Sequence, residues 1–225
     1  VPYIMPGFKL AIEAFKEFNK NKNVEGLILL HHGIFTFGSS AQESYKRMIK
    51  YVTLAEKFIQ KQKIKPVKLK KIYHIKDAEE VSLSLRNSIY NLTGEKWILN
   101  FYSSKDIVNF TLRYDLSKII NKGPVTPDHV IRIKPYLVIL KTNIKNNNSL
   151  QSSINRFALK YSKYFSKYKY LVKGSVQSDL IPRIIILPGK GVFSIGKSFK
   201  ESQISMDIFL SMIKSIKGAI KIGNF

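Results

Sequence analysis

Two adjacent histidines, His31 and His32, follow a short apolar run and precede a glycine. The run (residues 26–30, GLILL) is apolar without alternation, which predicts a β-strand buried on both faces. Gly33 allows the backbone to turn tightly directly after His32. An imidazole at the end of a buried strand is well placed to hold a metal or a substrate, so His32 is the first candidate for chemistry. His31 should point to the opposite face, where it would pack or form a hydrogen bond.

The pattern around these histidines occurs twice, at a constant shift of 158 residues that brings His32 onto Lys190. Gly33 corresponds to Gly191, and a glycine, a serine and an acidic residue follow at matching positions in both copies. A match through strand, turn and helix start indicates a duplicated structural unit. The copies differ at the one residue that could bind metal. Further matched pairs are Phe35 with Phe193, Gly38 with Gly196, Ser40 with Ser198, and Glu43-Ser44 with Glu201-Ser202.

The composition excludes several classes of function. With 225 residues, 44% of them hydrophobic, the chain can form a substantial core. The lack of cysteine excludes disulfides, thiolate nucleophiles and cysteine-bound zinc, and it favours a cytoplasmic protein. No apolar run approaches the roughly 18–20 residues of a membrane span, and we expect no signal peptide. Because the chain begins at Val1 without methionine, we expect an internal piece of a longer protein.

The net charge of +23 could indicate nucleic-acid binding, but its distribution argues against this. Lysines are spread along the chain among Ile and Asn, as on solvated surfaces, and the densest run (residues 61–71) resembles a linker. We therefore expect no nucleic-acid or membrane partner. Nucleic-acid binding is kept as an alternative function, and it predicts salt-sensitive retention on heparin.

In the first copy, two helices flank the strand and turn. Residues from Phe8 to Phe18 form one apolar stripe after Pro6-Gly7. Ser40 and Glu43 form a capping box at the start of the second helix. Thr36, Ser39 and Ser40 are expected to be turn and cap groups. The apolar stripe of the second helix is expected to be core; its members are Ala41, Tyr45, Met48, Ile49, Val52, Ala55 and Ile59.

In the second copy, helices and strands alternate, which predicts an α/β layered fold. A helix opens at Asp77 and stops at Gly94. We predict strands at 97–102, 130–133, 137–140 and 183–187, helices at 103–121 and 154–168, and loops at 123–127 and 143–151. The domain boundaries follow as 1–62 for the first copy, 63–76 for a basic linker and 77–225 for the second copy. His74 is expected on the surface, His129 in a loop, and Asp128 as a cap or turn residue.

Four blocks of residues in this order resemble the class II aldolase/adducin family, most closely the aldolase part of bifunctional rhamnulose-1-phosphate aldolase/short-chain dehydrogenase proteins. The blocks are residues 1–8 (VPYIMPGF), 26–38 with Glu43 to Tyr45, 123–132 (GPVTPDHVIR), and 188–196 with Glu201. The resemblance implies an α/β/α sandwich, with a partial first copy followed by a degenerate second copy. No Gly-x-Gly-x-x-Gly fingerprint follows a strand, so the nicotinamide-binding half of such a parent would lie beyond Phe225.

The resemblance also implies a metal site. Family members hold a divalent metal, usually zinc, with three histidines, and the histidine before the glycine corresponds to His32. The other two ligands and a catalytic carboxylate would lie upstream of Val1. This chain would then hold one ligand and no catalytic residue, and alone it should be inactive.

The second copy departs from the family pattern at every ligand position. Pro124 and Thr126 occupy two of these positions if Thr126-Pro127-Asp128 matches the family segment, and Lys190 occupies the third. The copy would then be a metal-free repeat with a structural or substrate-shaping role. Alternatively, Lys190 and the amides of its turn could bind a phosphate.

The resemblance implies retro-aldol cleavage by the parent of a deoxyketose 1-phosphate, with L-rhamnulose 1-phosphate expected, to dihydroxyacetone phosphate and lactaldehyde. A bound cation suits this reaction because it stabilises the enediolate oxygen while a carboxylate moves the proton. The expected partner is a small sugar phosphate, and a homo-oligomeric parent is plausible. The alternative is a non-catalytic, adducin-like scaffold that acts through protein contacts.

Overall fold

A computed structural model describes residues 1–63, 67–71, 77–141 and 147–223, apart from the side chains of Asp128 and Asn147. Helices and strands are mixed along the described ranges, which confirms the α/β class. The contacts divide the chain into two compact units: unit 1 spans Val1–Lys65 and Gly218–Asn224, and unit 2 spans Pro66–Lys217. No helix in the described ranges is long and apolar enough to cross a membrane.

Unit 1 is built from a β-hairpin and two helices. Helix α1 (Phe8–Lys20) precedes strands β1 (Gly26–Leu29) and β2 (Gly33–Thr36), and helix α2 (Ala41–Lys61) follows them. The strands are antiparallel, with Gly26 opposite Thr36 and Leu29 opposite Gly33. Between α1 and the hairpin lies an apolar groove of about 620 Å³, lined by residues including Phe15, Leu27 and Phe35.

The apolar residues of unit 1 are far more exposed than their pattern predicts. The expectation that residues 26–30 are buried on both faces is wrong, because Ile28 is 60% exposed and Leu30 is also exposed. The predicted core stripe of α2 is wrong as well: Met48 and Ile59 are half-buried, whereas Tyr45, Ile49 and Val52 are exposed. A two-stranded hairpin and two helices are too few elements to enclose these side chains.

Unit 2 contains a four-stranded sheet in the order β3-β6-β5-β4. Strands β3 (Ile98–Tyr102), β6 (Gly191–Gly196) and β5 (Ile184–Leu187) pair antiparallel, whereas the short β4 (Val138–Ile139) pairs parallel with β5. The helices are α3 (Ala78–Thr93), α4 (Lys105–Thr111), α5 (Leu116–Ile120), α6 (Pro127–Ile133), α7 (Asn147–Tyr168) and α8 (Phe199–Ile222), whose residues from Gly218 onward belong to unit 1.

Helices cover both faces of this sheet. On one face, Ile185 and Phe193 join a core with apolar residues of α3 and α7, among them Leu85 and Ile154. Because side chains alternate along a strand, Ile184 and Val192 point to the opposite face, where they are also fully buried. Helix α4 lies against β6, and α8 is tied to β3 by a hydrogen bond between Asn100 and Ser202. Residues of β5 and β6 are therefore buried on both sides, as in a layered α/β fold.

Three predicted elements of unit 2 differ from the structure. The helix predicted at 103–121 is two helices, because Leu112 to Tyr114 pair with Lys68 to Lys70 of the basic run, through a bridge between Leu69 and Arg113. The strand predicted at 130–133 is part of α6, whose first turn Thr126 caps and Pro127 preorganises. The loop predicted at 143–151 already belongs to α7 from Asn147 onward, whereas residues 142–146 lie outside the described residues. The other strands and helices predicted for this unit are confirmed.

Candidate functional site

The two hairpins have the same backbone frame. Leu29 lies opposite Gly33 in β1–β2, and Leu187 lies opposite Gly191 in β5–β6. Each turn is closed by one hydrogen bond: His32 N–H donates to Leu29 O at 3.0 Å, and Lys190 N–H donates to Leu187 O at 3.1 Å. The shift of 158 residues predicted from the sequence therefore describes a structural repeat.

The third residue of each turn has a positive φ, as a type II turn requires. In unit 2 this residue is Gly189 (φ 80°), preceded by Pro188, which is the preferred pair for such a turn. In unit 1 it is His31, whose φ of 58° is unusual for a residue with a Cβ. The turn that presents His32 is thus the more strained of the two.

The helices after both hairpins begin in the same way. Ser40 Oγ accepts the N–H of Glu43 at 3.2 Å, and Glu43 Oε2 accepts the N–H of Ser39 at 2.7 Å. The carboxylate is ionised more readily than usual, because hydrogen bonds from the hydroxyl and backbone of Ser39 lower the pKa of Glu43. In unit 2, Ser198 Oγ accepts from Glu201 N–H at 3.2 Å and Glu201 Oε2 accepts from Lys197 N–H at 2.8 Å. The predicted capping box is confirmed in both copies.

Thr36 has the predicted structural role at the end of β2. Its hydroxyl donates to Ser44 O at 2.9 Å, and Ser44 Oγ donates to Thr36 O at the same distance. These bonds tie the hairpin to α2. The hydroxyls of Thr36 and Ser44 therefore stabilise the frame around His32, and both already have hydrogen-bond partners within it.

The side chain of His32 takes no part in this frame. The residue is exposed, and no hydrogen bond or ion pair within the described residues involves its imidazole. His31 is also exposed, and it packs edge-on against the Tyr3 ring at a centroid distance of 5.9 Å. The turn thus presents His32 to solvent with both ring nitrogens available.

The part of the chain that the structure describes does not form a complete set of metal ligands around His32. No group of three or more His, Cys, Asp or Glu residues lies close enough there to hold a metal ion. A zinc site needs at least three protein ligands. The described residues therefore do not complete the metal site that the family resemblance implies. His129, which was predicted in a loop, is a buried residue of α6. His74 and the side chain of Asp128 do not belong to the part of the protein that the structure describes.

The turn of the second hairpin is occupied by internal contacts. Lys190 Nζ pairs with Asp77 at 3.2 Å, and Gly189 N–H donates to Thr111 Oγ1 at 2.9 Å. Thr126, at one of the expected ligand positions, instead caps α6. Because the ammonium and both turn amides already have partners, the geometry does not favour the phosphate-binding alternative for Lys190.

Among the described residues, the largest pKa shifts belong to a charge cluster in unit 2 that the sequence did not reveal. Asp179 accepts from Arg183 through two bonds of 2.9 and 2.5 Å, and from Lys134 Nζ at 2.8 Å. Burial alone raises the pKa of Asp179, but hydrogen bonds from Arg183 and Lys134 outweigh it and hold that pKa far below its usual range. Lys134 is 4% exposed, and burial lowers its pKa to about 8. No sequence signal connects Lys134 with Asp179, which lie 45 residues apart.

Family comparison decides which fold these two units represent. The model of the "Class II Aldolase and Adducin N-terminal domain" matches residues 1–59, and that of "Aldolase class II, second domain" matches residues 76–225. The chain belongs to the class II aldolase family. The resemblance predicted from the four blocks of residues is thereby confirmed.

One curated relative covers the whole chain. It is the "Uncharacterized oxidoreductase YuxG" of Bacillus subtilis (strain 168), which is 24% identical over 243 aligned positions. The match includes 100% of this class II aldolase chain but 34% of the relative, so the chain spans about a third of the relative's length. No solved structure matches the chain.

Proposed function

We propose that the parent of this chain is a metal-dependent aldolase that cleaves a deoxyketose 1-phosphate to dihydroxyacetone phosphate and lactaldehyde. L-rhamnulose 1-phosphate is the first substrate to test. The observation that supports this best is His32, an exposed imidazole without a partner on a turn that Gly33 and the capped α2 hold in place. It lies within the region that matches the family's N-terminal domain.

In this proposal, His32 is one ligand of a divalent metal, and residues outside the 225-residue chain supply the other ligands and the catalytic carboxylate. Class II aldolases are generally zinc-dependent, so zinc is the first metal to test. The chain alone should be inactive, because its described residues do not provide a set of three metal ligands. We further propose a cytoplasmic, homo-oligomeric parent that contacts neither nucleic acid nor membrane.

A dehydrogenase in the same parent is a further part of the proposal. It rests on the printed name of the relative, an oxidoreductase about three times as long as the matched region. A fusion of this kind would carry its nicotinamide-binding domain outside the present chain.

The test is metal content and lactaldehyde release by the parent-length protein, beside His32→Ala and His31→Gly variants. We expect about one zinc per chain in the wild type, and loss of both metal and activity in His32→Ala. The matched control His31→Gly removes the neighbouring imidazole and preserves the positive φ, so it should keep both properties. A parent that binds no metal, or a His32→Ala variant with unchanged zinc, would refute the proposal.

An adducin-like scaffold is the second candidate. The three positions where the second copy would need metal ligands are occupied by Pro124, Thr126 and Lys190. Thr126 instead caps α6, and Lys190 pairs with Asp77. A metal-free parent without lyase activity that is recovered in a stable protein complex would favour the scaffold.

A further inference from the structure

One edge of the sheet in unit 2 is open among the described residues. β4 is the last strand in the order β3-β6-β5-β4 and pairs with β5 on one side. Leu140 N–H donates to Ile186 O at 2.9 Å, on the β5 side. Because the backbone groups of successive residues point to opposite sides of a strand, the N–H and C=O of Ile139 point to the open edge. They can pair with an added strand.

A small pocket lies beside this edge. It has a volume of about 150 Å³ and is bounded by residues of β4 and the preceding turn, including Tyr136, and by one face of α7. Ser153, Phe157 and Lys160 of α7 line it, as does Arg156. A side chain from a segment paired with β4 could enter this pocket, since alternate side chains of a strand point to the same face.

The pocket carries two positive charges without an opposing carboxylate. Arg156 and Lys160 lie one turn apart on α7, and neither forms an ion pair within the described ranges. Lys160 Nζ lies 3.8 Å from the centre of the Tyr136 ring instead. Like charges at this spacing repel each other, and a carboxylate placed between them would relieve that repulsion.

The other end of the same sheet is different. Lys197, next to β6, pairs with Glu95, near the start of β3, at 2.9 Å. Deeper in the unit, Lys134 and Arg183 share Asp179. Lys197, Lys134 and Arg183 thus have carboxylate partners, which Arg156 and Lys160 lack among the described residues.

We propose that the open edge of β4 binds an extended acidic segment of another protein. The segment adds to the sheet through the backbone of Ile139, and one of its carboxylates enters the pocket between Arg156 and Lys160. A second copy of this chain fits the edge poorly, because pairing two β4 edges would place two such pairs of cations in one interface without a carboxylate.

The test uses the 225-residue chain and a fluorescein-labelled nine-residue peptide of alternating valine and glutamate. We expect saturable binding by fluorescence anisotropy that weakens as salt is raised. The same peptide with lysine in place of glutamate should not bind. A third peptide, with the acidic sequence but N-methyl groups on every backbone amide, should lose binding because neither of its edges can donate hydrogen bonds to β4.

Two double variants locate the site. Arg156→Glu with Lys160→Glu should weaken binding of the acidic peptide by about tenfold or more, since it reverses both charges. Lys118→Glu with Lys200→Glu changes the net charge equally on exposed residues of α5 and α8, and should leave binding unchanged. Far-ultraviolet circular dichroism checks that both variants remain folded.

Three results would overturn the proposal. Equal binding of the N-methylated peptide would mean charge attraction without strand addition. Equal weakening in both double variants would mean non-specific attraction to a basic protein. A dimer in sedimentation that the acidic peptide dissociates would assign the edge to a second copy of the chain.

Discussion

The hairpins β1–β2 and β5–β6 have the same register, the same turn and the same helix cap, yet they lie in very different surroundings. Phe193 on β6 is 1% exposed, whereas its counterpart Phe35 on β2 is 54% exposed. In unit 2 a wide sheet and helices on both faces surround the hairpin. Local sequence thus determines the shape of the hairpin, and the number of surrounding elements determines whether the hairpin contributes a core.

The largest expected difference is between these two phenylalanines. Phe193→Ala should lower the free energy of unfolding of unit 2 by about 3–5 kcal/mol, because it leaves a cavity in a closed core. Phe35→Ala should change the stability of unit 1 by less than about 0.5 kcal/mol, since the ring is largely in water. Urea unfolding followed by Trp97 fluorescence reports unit 2, and hydrogen exchange of β1–β2 reports unit 1. Equal losses at the two positions would contradict the comparison.

The residue before each hairpin offers a second test. Glu25 in unit 1 accepts from Lys50 and Tyr51 at the surface, whereas Arg183 at the matching position in unit 2 binds the half-buried Asp179. Asp179→Asn should cost about 3–5 kcal/mol, because it leaves Lys134 and Arg183 without their carboxylate. Glu25→Gln should cost at most about 1 kcal/mol. Chemical unfolding at neutral pH measures both, and a mild Asp179→Asn variant would mean that water already reaches the cluster.

The buried amine of Lys134 also predicts a pH dependence confined to unit 2. Burial lowers the pKa of Lys134 from 10.5 to about 8, so between these values the unfolded chain retains a proton that the folded chain has released. The contribution of this group to stability therefore rises with pH across that window, by up to about 3 kcal/mol, and is constant below it.

Lys134→Met should remove this rise while keeping a long side chain against the Tyr161 ring, which the amine faces at 4.6 Å. Lys50→Met, at a more exposed amine of unit 1, is the matched control and should leave the rise in place. The measurement is the difference in unfolding free energy between wild type and variant from pH 7 to pH 10.5. A difference that does not change with pH would show that Lys134 keeps its ordinary pKa.

The smallest expected effect concerns the two turns. His31→Gly should stabilise β1–β2 by about 1 kcal/mol, because glycine adopts a positive φ without the clash of a Cβ. Gly189→His should destabilise β5–β6 by at least as much. Hydrogen exchange at His32 N–H and Lys190 N–H follows the two closing bonds directly. If His31→Gly loosens its turn, the edge contact with Tyr3 matters more than the backbone strain.

The repeated frame was predictable because it depends on neighbours in sequence. Gly33 and Gly191 mark the turns, and Ser40 with Glu43 marks a helix start, so these features follow from local chemistry. Burial was not predictable for unit 1, since the apolar run at 26–30 has the same pattern whether or not a second layer covers it. Residues 130–133 show another limit: three of these four residues are β-branched, but they follow a Thr-Pro cap, and the cap determines the helix.

The candidate site was predictable in part for the same reason. The sequence located His32 on a turn, and the structure shows the turn and the exposed ring. The cluster of Lys134, Asp179 and Arg183 depends on residues that the fold brings together, so no spacing pattern in the sequence predicts it. The role of His32 as a ligand stays a prediction for the parent protein.

His32 and Lys190 are the fourth residues of their turns, and this position affects how such a protein can change over evolutionary time. His32 and Lys190 contribute their backbone N–H to the turn, while their side chains are not needed to close it. If His32 is the proposed ligand, its side chain binds the metal while its backbone closes the turn. After a duplication, one copy could exchange its reactive side chain in a single step without losing its shape, and a protein engineer could try the reverse step at Lys190.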